Sequence, residues 1–291
     1  MQRIPMRDTP SLACRGGRAI APLAAVILLA GSPAHAADGV TELNQTCAVQ
    51  TGCLAGDAPG FPVTIAAPGN FVLTSDLDVR VAPVPANTTA IELTTGLIGT
   101  TVDLNGFSIV GAASCSFTPP CTNTGTGAGI SGSASVRNGT IRAMGSDGIL
   151  VSGGTVENVR AVGNGGRGIR VTFGSVRDSV AAINGGDGIS VTDGTVADSV
   201  SLQNQGAGVS LTRASGENLT LRINQGVEAS LISSRLGHSL LSANGSPELS
   251  CSECGLTSNV FVGCDGAACF GPGAAVQLPA GSNLCGNAIC P

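Results

Sequence analysis

Residues 147–206 read DGILVSGGTVENVRAVGNGG, RGIRVTFGSVRDSVAAINGG and DGISVTDGTVADSVSLQNQG, three twenties that align without a gap. Asparagine recurs at Asn164, Asn184, Asn204, Asn224 and Asn244, and glycine at Gly148, Gly168, Gly188 and Gly208. A fixed period filled with Gly, Val, Ile and Asn marks a solenoid. Ile149 and Val151, Ile169 and Val171, and Ile189 and Val191 form period-2 pairs that put each couple on one face of a short strand. A second strand is expected around Val156, Val176 and Val196, followed by a bend at Asn158, Asp178, Asp198 and Asn218. In the third strand Val159, Val180 and Val200 share no register, so its facing is open. Gly breaks every half-coil and no 3.6-residue period survives, which excludes a helical repeat. We expect about eight coils stacked ~4.8 Å apart, each strand pairing with its equivalent one coil away.

The regular array spans 129–245, and looser strands start near Phe61. The Gly, Ser, Thr, Pro and Cys stretch 112–128 reads as a loop bulging from the early coils. Ahead of the strands, Arg3, Arg7, Arg15 and Arg18 lead into the apolar run 19–30 and the A-x-A site Ala34-His35-Ala36, a secretion signal too short to span a bilayer. Met6 offers an alternative start. We therefore expect a signal peptide at 1–36, a lead at 37–60, a β-helix at 61–245 and a Cys-rich cap at 246–291 that covers the open strand edge. A secreted or periplasmic monomer that does not span the membrane is expected.

Of 14 basic and 19 acidic residues, removal of the four leader arginines and Asp8 leaves ten and 18, net −8. That balance argues against nucleic acid as a partner. Cleavage also leaves ten cysteines: Cys47, Cys53, Cys115, Cys121, Cys251, Cys254, Cys264, Cys269, Cys285 and Cys290. An even count in an exported chain reads as disulfides, and sequential pairing is the simplest of many connectivities. Cys251, Cys254, Cys264 and Cys269 also have a spacing that would hold zinc.

The chain resembles the secreted bacterial right-handed parallel β-helix proteins of the pectin-lyase-like superfamily. The residues that carry the likeness are Gly60-Phe61-Pro62-Val63-Thr64-Ile65, Val102-Asp103-Leu104-Asn105-Gly106-Phe107, the Asn-Gly-Gly-x-Gly-Ile turns at Asn164 and Asn184, and Asn283-Leu284-Cys285. The resemblance implies a right-handed coil and an all-β fold. It implies no reaction, because function lives in sites grafted on folds. The pectate lyases of that fold carry clustered acidic calcium ligands with an arginine base, and this chain shows no matching cluster. Its polygalacturonases carry Asp-Asp and Gly-His-Gly; here no Asp-Asp occurs and Gly237-His238-Ser239 departs from the second motif.

Four columns bear on chemistry. The asparagines at 164–244 read as a structural ladder, each amide bonding its own turn and the next coil. At the second bend, Asn138, Asn158, Asp178, Asp198, Asn218 and His238 stack, and the neighbouring carboxylates Asp178 and Asp198 either act as turn formers or share a calcium ion. Beside the first strand, Asp147, Arg167, Asp187 and Ala207 alternate in sign, as do Arg137, Glu157 and Arg177, a pattern expected of a salt-bridge ladder. The same patch admits a functional reading. Asp147 and Asp187 are expected ~9.6 Å apart, near the upper end of the ~6.5–9.5 Å used by inverting glycoside hydrolases. Arg167 and Arg170 offer forks for a uronate or sulfate. The mature chain lacks Trp, Tyr and Lys, which removes stacking platforms and bases that an enzyme on sugars commonly uses. The reading is a scaffold that binds a polysaccharide or envelope surface through one strand face, without a cofactor. The alternative is a lyase or hydrolase on an acidic polysaccharide, with Asp147, Asp187, Arg167 and Arg170 as its groups.

Overall fold

Successive strands of the chain pair in parallel with the strands one coil away and build a parallel β-solenoid. The computed structural model describes residues 39–94, 96–118, 120–242 and 248–262, with short strand segments at 276–277, 283–285 and 288–289. The expected signal segment 1–36, Asn244, and the side chains of Cys264, Cys269, Cys285 and Cys290 lie outside the described residues.

Each coil contributes to three sheets. In the first sheet, Ile149 pairs with Ile169, then Ile189, Val209, Ala229 and Leu249, a step of 20 residues throughout. All six are buried, as are their partners Val151, Val171, Val191, Leu211, Leu231 and Cys251. The second sheet buries Val136, Val156, Val176, Val196, Leu236 and Leu256. Like residues stack on like, so the core is one continuous column of aliphatic side chains.

The third sheet settles the facing that the sequence leaves open. Ala161, Ala181, Ser201, Leu221, Leu241 and Phe261 point inward, while Val180 and Val200 point outward. The inward column just before it is Val159, Ser179, Ser199, Leu219, Ser239 and Asn259. Its serines are satisfied locally: Ser179 Oγ donates to Arg177 O at 2.8 Å and accepts from Val159 N, and Ser199 repeats the pattern. Buried hydroxyls with backbone partners carry no desolvation deficit, which is why apolarity misreads this strand.

Corners use left-handed residues at five-residue spacing. Asn158, Asp178, Asp198, Asn218 and His238 have φ of 49–54°. Phe173, Asp193, Arg213 and Ser233 form a second such column, and Ile183, Gln203 and Ile223 a third. Asn and Asp tolerate this geometry; Phe173 and Ile183 are held in it by the pairing on either side.

The solenoid passes both expected boundaries. Val40–Leu43 pairs with Asn70–Leu73, so a strand lies inside the lead. It runs into the helix Gln45–Gln50, capped by the Asn44 side chain and followed by the Cys47–Cys53 disulfide. Leu249–Ser252, Cys254–Thr257 and Val260–Val262 pair with the preceding coil, and Val276–Gln277 and Leu284–Cys285 pair in parallel with that coil in turn. Cys251 and Cys254 are joined to each other. The third disulfide, Cys115–Cys121, closes a loop that lies along the corner of later coils: Gln205 donates to Ser116 O at 3.2 Å, and Gln225 to Phe117 O. Among the described residues, no helix is long and apolar enough to cross a membrane.

Candidate functional site

The asparagine column is a buried ladder. Asn164, Asn184 and Asn204 each donate Nδ2 and backbone N–H to the Oδ1 of the asparagine one coil on, at 2.9–3.0 Å. Glycine is required beside it, since a Cβ at Gly188 would lie 2.6 Å from Asn204 Nδ2 and 1.9 Å from Ser201 Oγ. The ladder is structural and offers no group to solvent.

The candidate carboxylates are engaged with backbone. Asp147 is buried, and its Oδ1 accepts from Arg167 N at 2.7 Å. Asp187 repeats this two coils later: Oδ1 accepts from Ala207 N at 2.9 Å, and Oδ2 meets Arg167 Nε at 3.3 Å. The structure thus brings Arg167 to Asp187 and turns Asp147 onto the chain. Each carboxylate ties two coils together. Neither is displayed as a free acid or base.

Several other charges close in pairs. Arg137 meets Asp103 at 2.8 Å, Arg177 meets Glu157 at 2.8 Å, Arg213 meets Asp193 at 2.6 Å, and His238 Nδ1 lies 3.1 Å from Glu217. The Asp193 carboxyl is held below its ordinary pKa by the Arg213 hydrogen bond. Asp178 and Asp198 are exposed corner residues, and Asp198 Oδ1 accepts from Asn218 Nδ2 at 2.5 Å. No group of three or more His, Cys, Asp or Glu side chains gathers among the described residues.

What stays open is the outer face of the first sheet. Its two columns run Leu150, Arg170, Ser190, Ser210, Ser230 and Ser152, Thr172, Thr192, Thr212, Ile232. Pairing of Arg170 with Leu150 on one side and Ser190 on the other leaves it without a carboxylate neighbour in register. The ion pairs of the described residues do not include it. At the adjoining corner Phe173 is 66% exposed. Flat hydroxyl rows ~4.8 Å apart, one unpaired guanidinium and one presented aromatic ring form a surface suited to an extended polar polymer. The 20-residue serine and threonine columns were visible in the sequence; their outward facing was not singled out there.

No family model matches the chain. No curated protein matches it either. Among solved structures it is similar to the Azotobacter vinelandii mannuronan C-5 epimerase AlgE4 A-module, with 12% identity over 85% of this chain and 89% of that one, at a TM-score of 0.41. It is also similar to the AlgE6 A-module of the same organism, with 15% identity over 87% and 89% of the two chains, at a TM-score of 0.36.

Proposed function

We propose that this protein is an exported β-helix that binds an acidic polysaccharide along the outer face of its first sheet. Arg170 carries the reading: it is a cation without an acidic neighbour in register, set in rows of hydroxyls. A guanidinium takes a uronate carboxylate or a sulfate through two parallel N–H donors. The rows from Ser152 to Thr212 supply hydroxyl contacts at the spacing of the coils, and Phe173 supplies a face against which a sugar ring stacks. The three disulfides among the described residues fit an oxidising compartment outside the cytoplasm, in line with export to the periplasm or beyond. Binding is favoured over cleavage because Asp147 and Asp187 are committed to backbone N–H groups.

The test incubates the oxidised protein with polyuronates, sulfated glycans and neutral glycans. Binding is scored by pull-down, and chain ends by mass spectrometry of the same samples. Retention on acidic glycans, lost in Arg170→Gln and weakened by salt, is expected. New chain ends would overturn the binding reading in favour of an enzyme; equal retention of Arg170→Gln would remove the first-sheet face from it.

A further inference from the structure

A second feature lies at the corner between the first and second sheets. The segment 96–100 rises between the strands Ile91–Leu93 and Thr101–Asp103 and forms one side of a cleft of about 210 Å³. Leu97 and Ile98 supply an apolar wall, Ser133, Ser135, Ser152 and Thr100 supply hydroxyls, and Gly153 and Gly154 are among the small residues that line the rest. Among the described residues, none that lines the cleft is Asp, Glu, Lys, Arg or His.

Two observations set it apart from an ordinary surface dip. Thr100 is 2% exposed, and its Oγ1 has no hydrogen-bond partner, although its carbonyl accepts from Ser135 N at 2.9 Å. A buried hydroxyl without a partner is costly and rare in folded proteins. Ile98, on the same segment, is 91% exposed, an apolar side chain held in water at the rim of a polar cleft. Both features are relieved by one kind of occupant. It must bring a hydrogen-bonding group to Thr100 and an apolar face to Ile98. It must also be uncharged, since nothing in the lining would neutralise a charge.

We propose that this cleft is a binding site for one uncharged pyranose ring. A pyranose has hydroxyls around its edge and C–H groups on its faces. The hydroxyl edge matches Thr100, Ser133, Ser135 and Ser152, and the C–H face matches Leu97 and Ile98. Glycine at the corner keeps the entrance open: a Cβ on Gly153 would meet nothing within 4 Å, whereas the next coil places Phe173 at the equivalent corner. The site shares Ser152 with the acidic-polymer face, uses no residue with a charge, and stands or falls separately from Arg170.

Calorimetric titration with glucose, galactose, mannose and their disaccharides tests it, using the wild type, Thr100→Val, Ile98→Ser and Arg170→Gln. Val keeps the shape of Thr and removes the hydroxyl. At least one neutral sugar is expected to bind the wild type and Arg170→Gln alike. Thr100→Val and Ile98→Ser are expected to weaken it about tenfold or more, the loss of roughly one hydrogen bond or apolar contact. Thr100→Val should melt no lower than wild type, because no protein hydrogen bond is lost. Failure of every neutral sugar to bind overturns the proposal, as does undiminished binding by Thr100→Val. A lower melting temperature for Thr100→Val without sugar binding would assign the hydroxyl to a buried water instead, and would equally overturn it.

Discussion

Asn224 donates both its backbone N–H and its side-chain Nδ2 to the carboxylate of Glu228, so the asparagine ladder passes at this coil onto a buried acid. Glu228 stands in the column held by Gly148, Gly168, Gly188 and Gly208, and it is 0% exposed. Its Oε1 receives the Asn224 N–H at 3.1 Å, the place that the next asparagine amide holds in earlier coils.

Burial pushes the Glu228 pKa up to about 7 from 4.5, against the lowering effect of the Asn224 hydrogen bonds. The folded value lies above the unfolded one. Its contribution is therefore fully present below pH 4.5 and lost as pH rises through about 7. The swing is on the order of 3 kcal/mol. Urea midpoints measured across that window should fall with pH, and Glu228→Gln should flatten the slope. It should also lower stability at acidic pH, because an amide NH₂ set against an Asn224 donor cannot accept.

Asn184→Ala removes the acceptor for Asn164 N and Nδ2 inside the stack. Leaving buried donors unpaired costs roughly 3 kcal/mol. Asn158, at an exposed corner with φ of 51°, should cost about 1 kcal/mol as alanine, the penalty of left-handed backbone. Equilibrium denaturation of the two variants measures the contrast; equal losses would deny the ladder its role.

Asp147→Ala should destabilise by about 1–3 kcal/mol, since Arg167 N loses its acceptor. Arg170→Gln should leave the melting temperature unchanged, because Arg170 is exposed and outside the ion pairs. The opposite ranking would mean that Asp147 is displayed for chemistry and Arg170 is structural.

Asp178→Asn should fold as well as wild type, because asparagine already serves the same corner at Asn138, Asn158 and Asn218. Melting temperatures with and without calcium decide between turn former and ligand. A calcium-dependent rise present in wild type and absent in the variant would assign a cation to Asp178 and Asp198.

Truncation after residue 242 removes the strands Leu249–Ser252, Cys254–Thr257 and Val260–Val262 and leaves the edges they cover unpaired. Open parallel edges recruit other chains. Light scattering should show oligomers, and a stable monomer would contradict this account.

The 20-residue period by itself determined the coil, the inward Ile and Val pairs of the first strand, and the asparagine ladder. In a solenoid, separation by one repeat is spatial contact, so these were legible without a fold. The alternating charges at 137–177 were legible for the same reason, although Arg137 pairs with Asp103, 34 residues back in an irregular coil. Only the tertiary structure decided that Ser179 and Ser199 face in while Val180 and Val200 face out. It alone turned Asp147 onto a backbone amide, put Glu228 into the ladder and gathered Ile98, Thr100 and Ser152 around one cleft. Hydrogen bonding to backbone overrides apolarity in the first of these cases. In the last, loops of unequal length break the link between sequence spacing and neighbourhood.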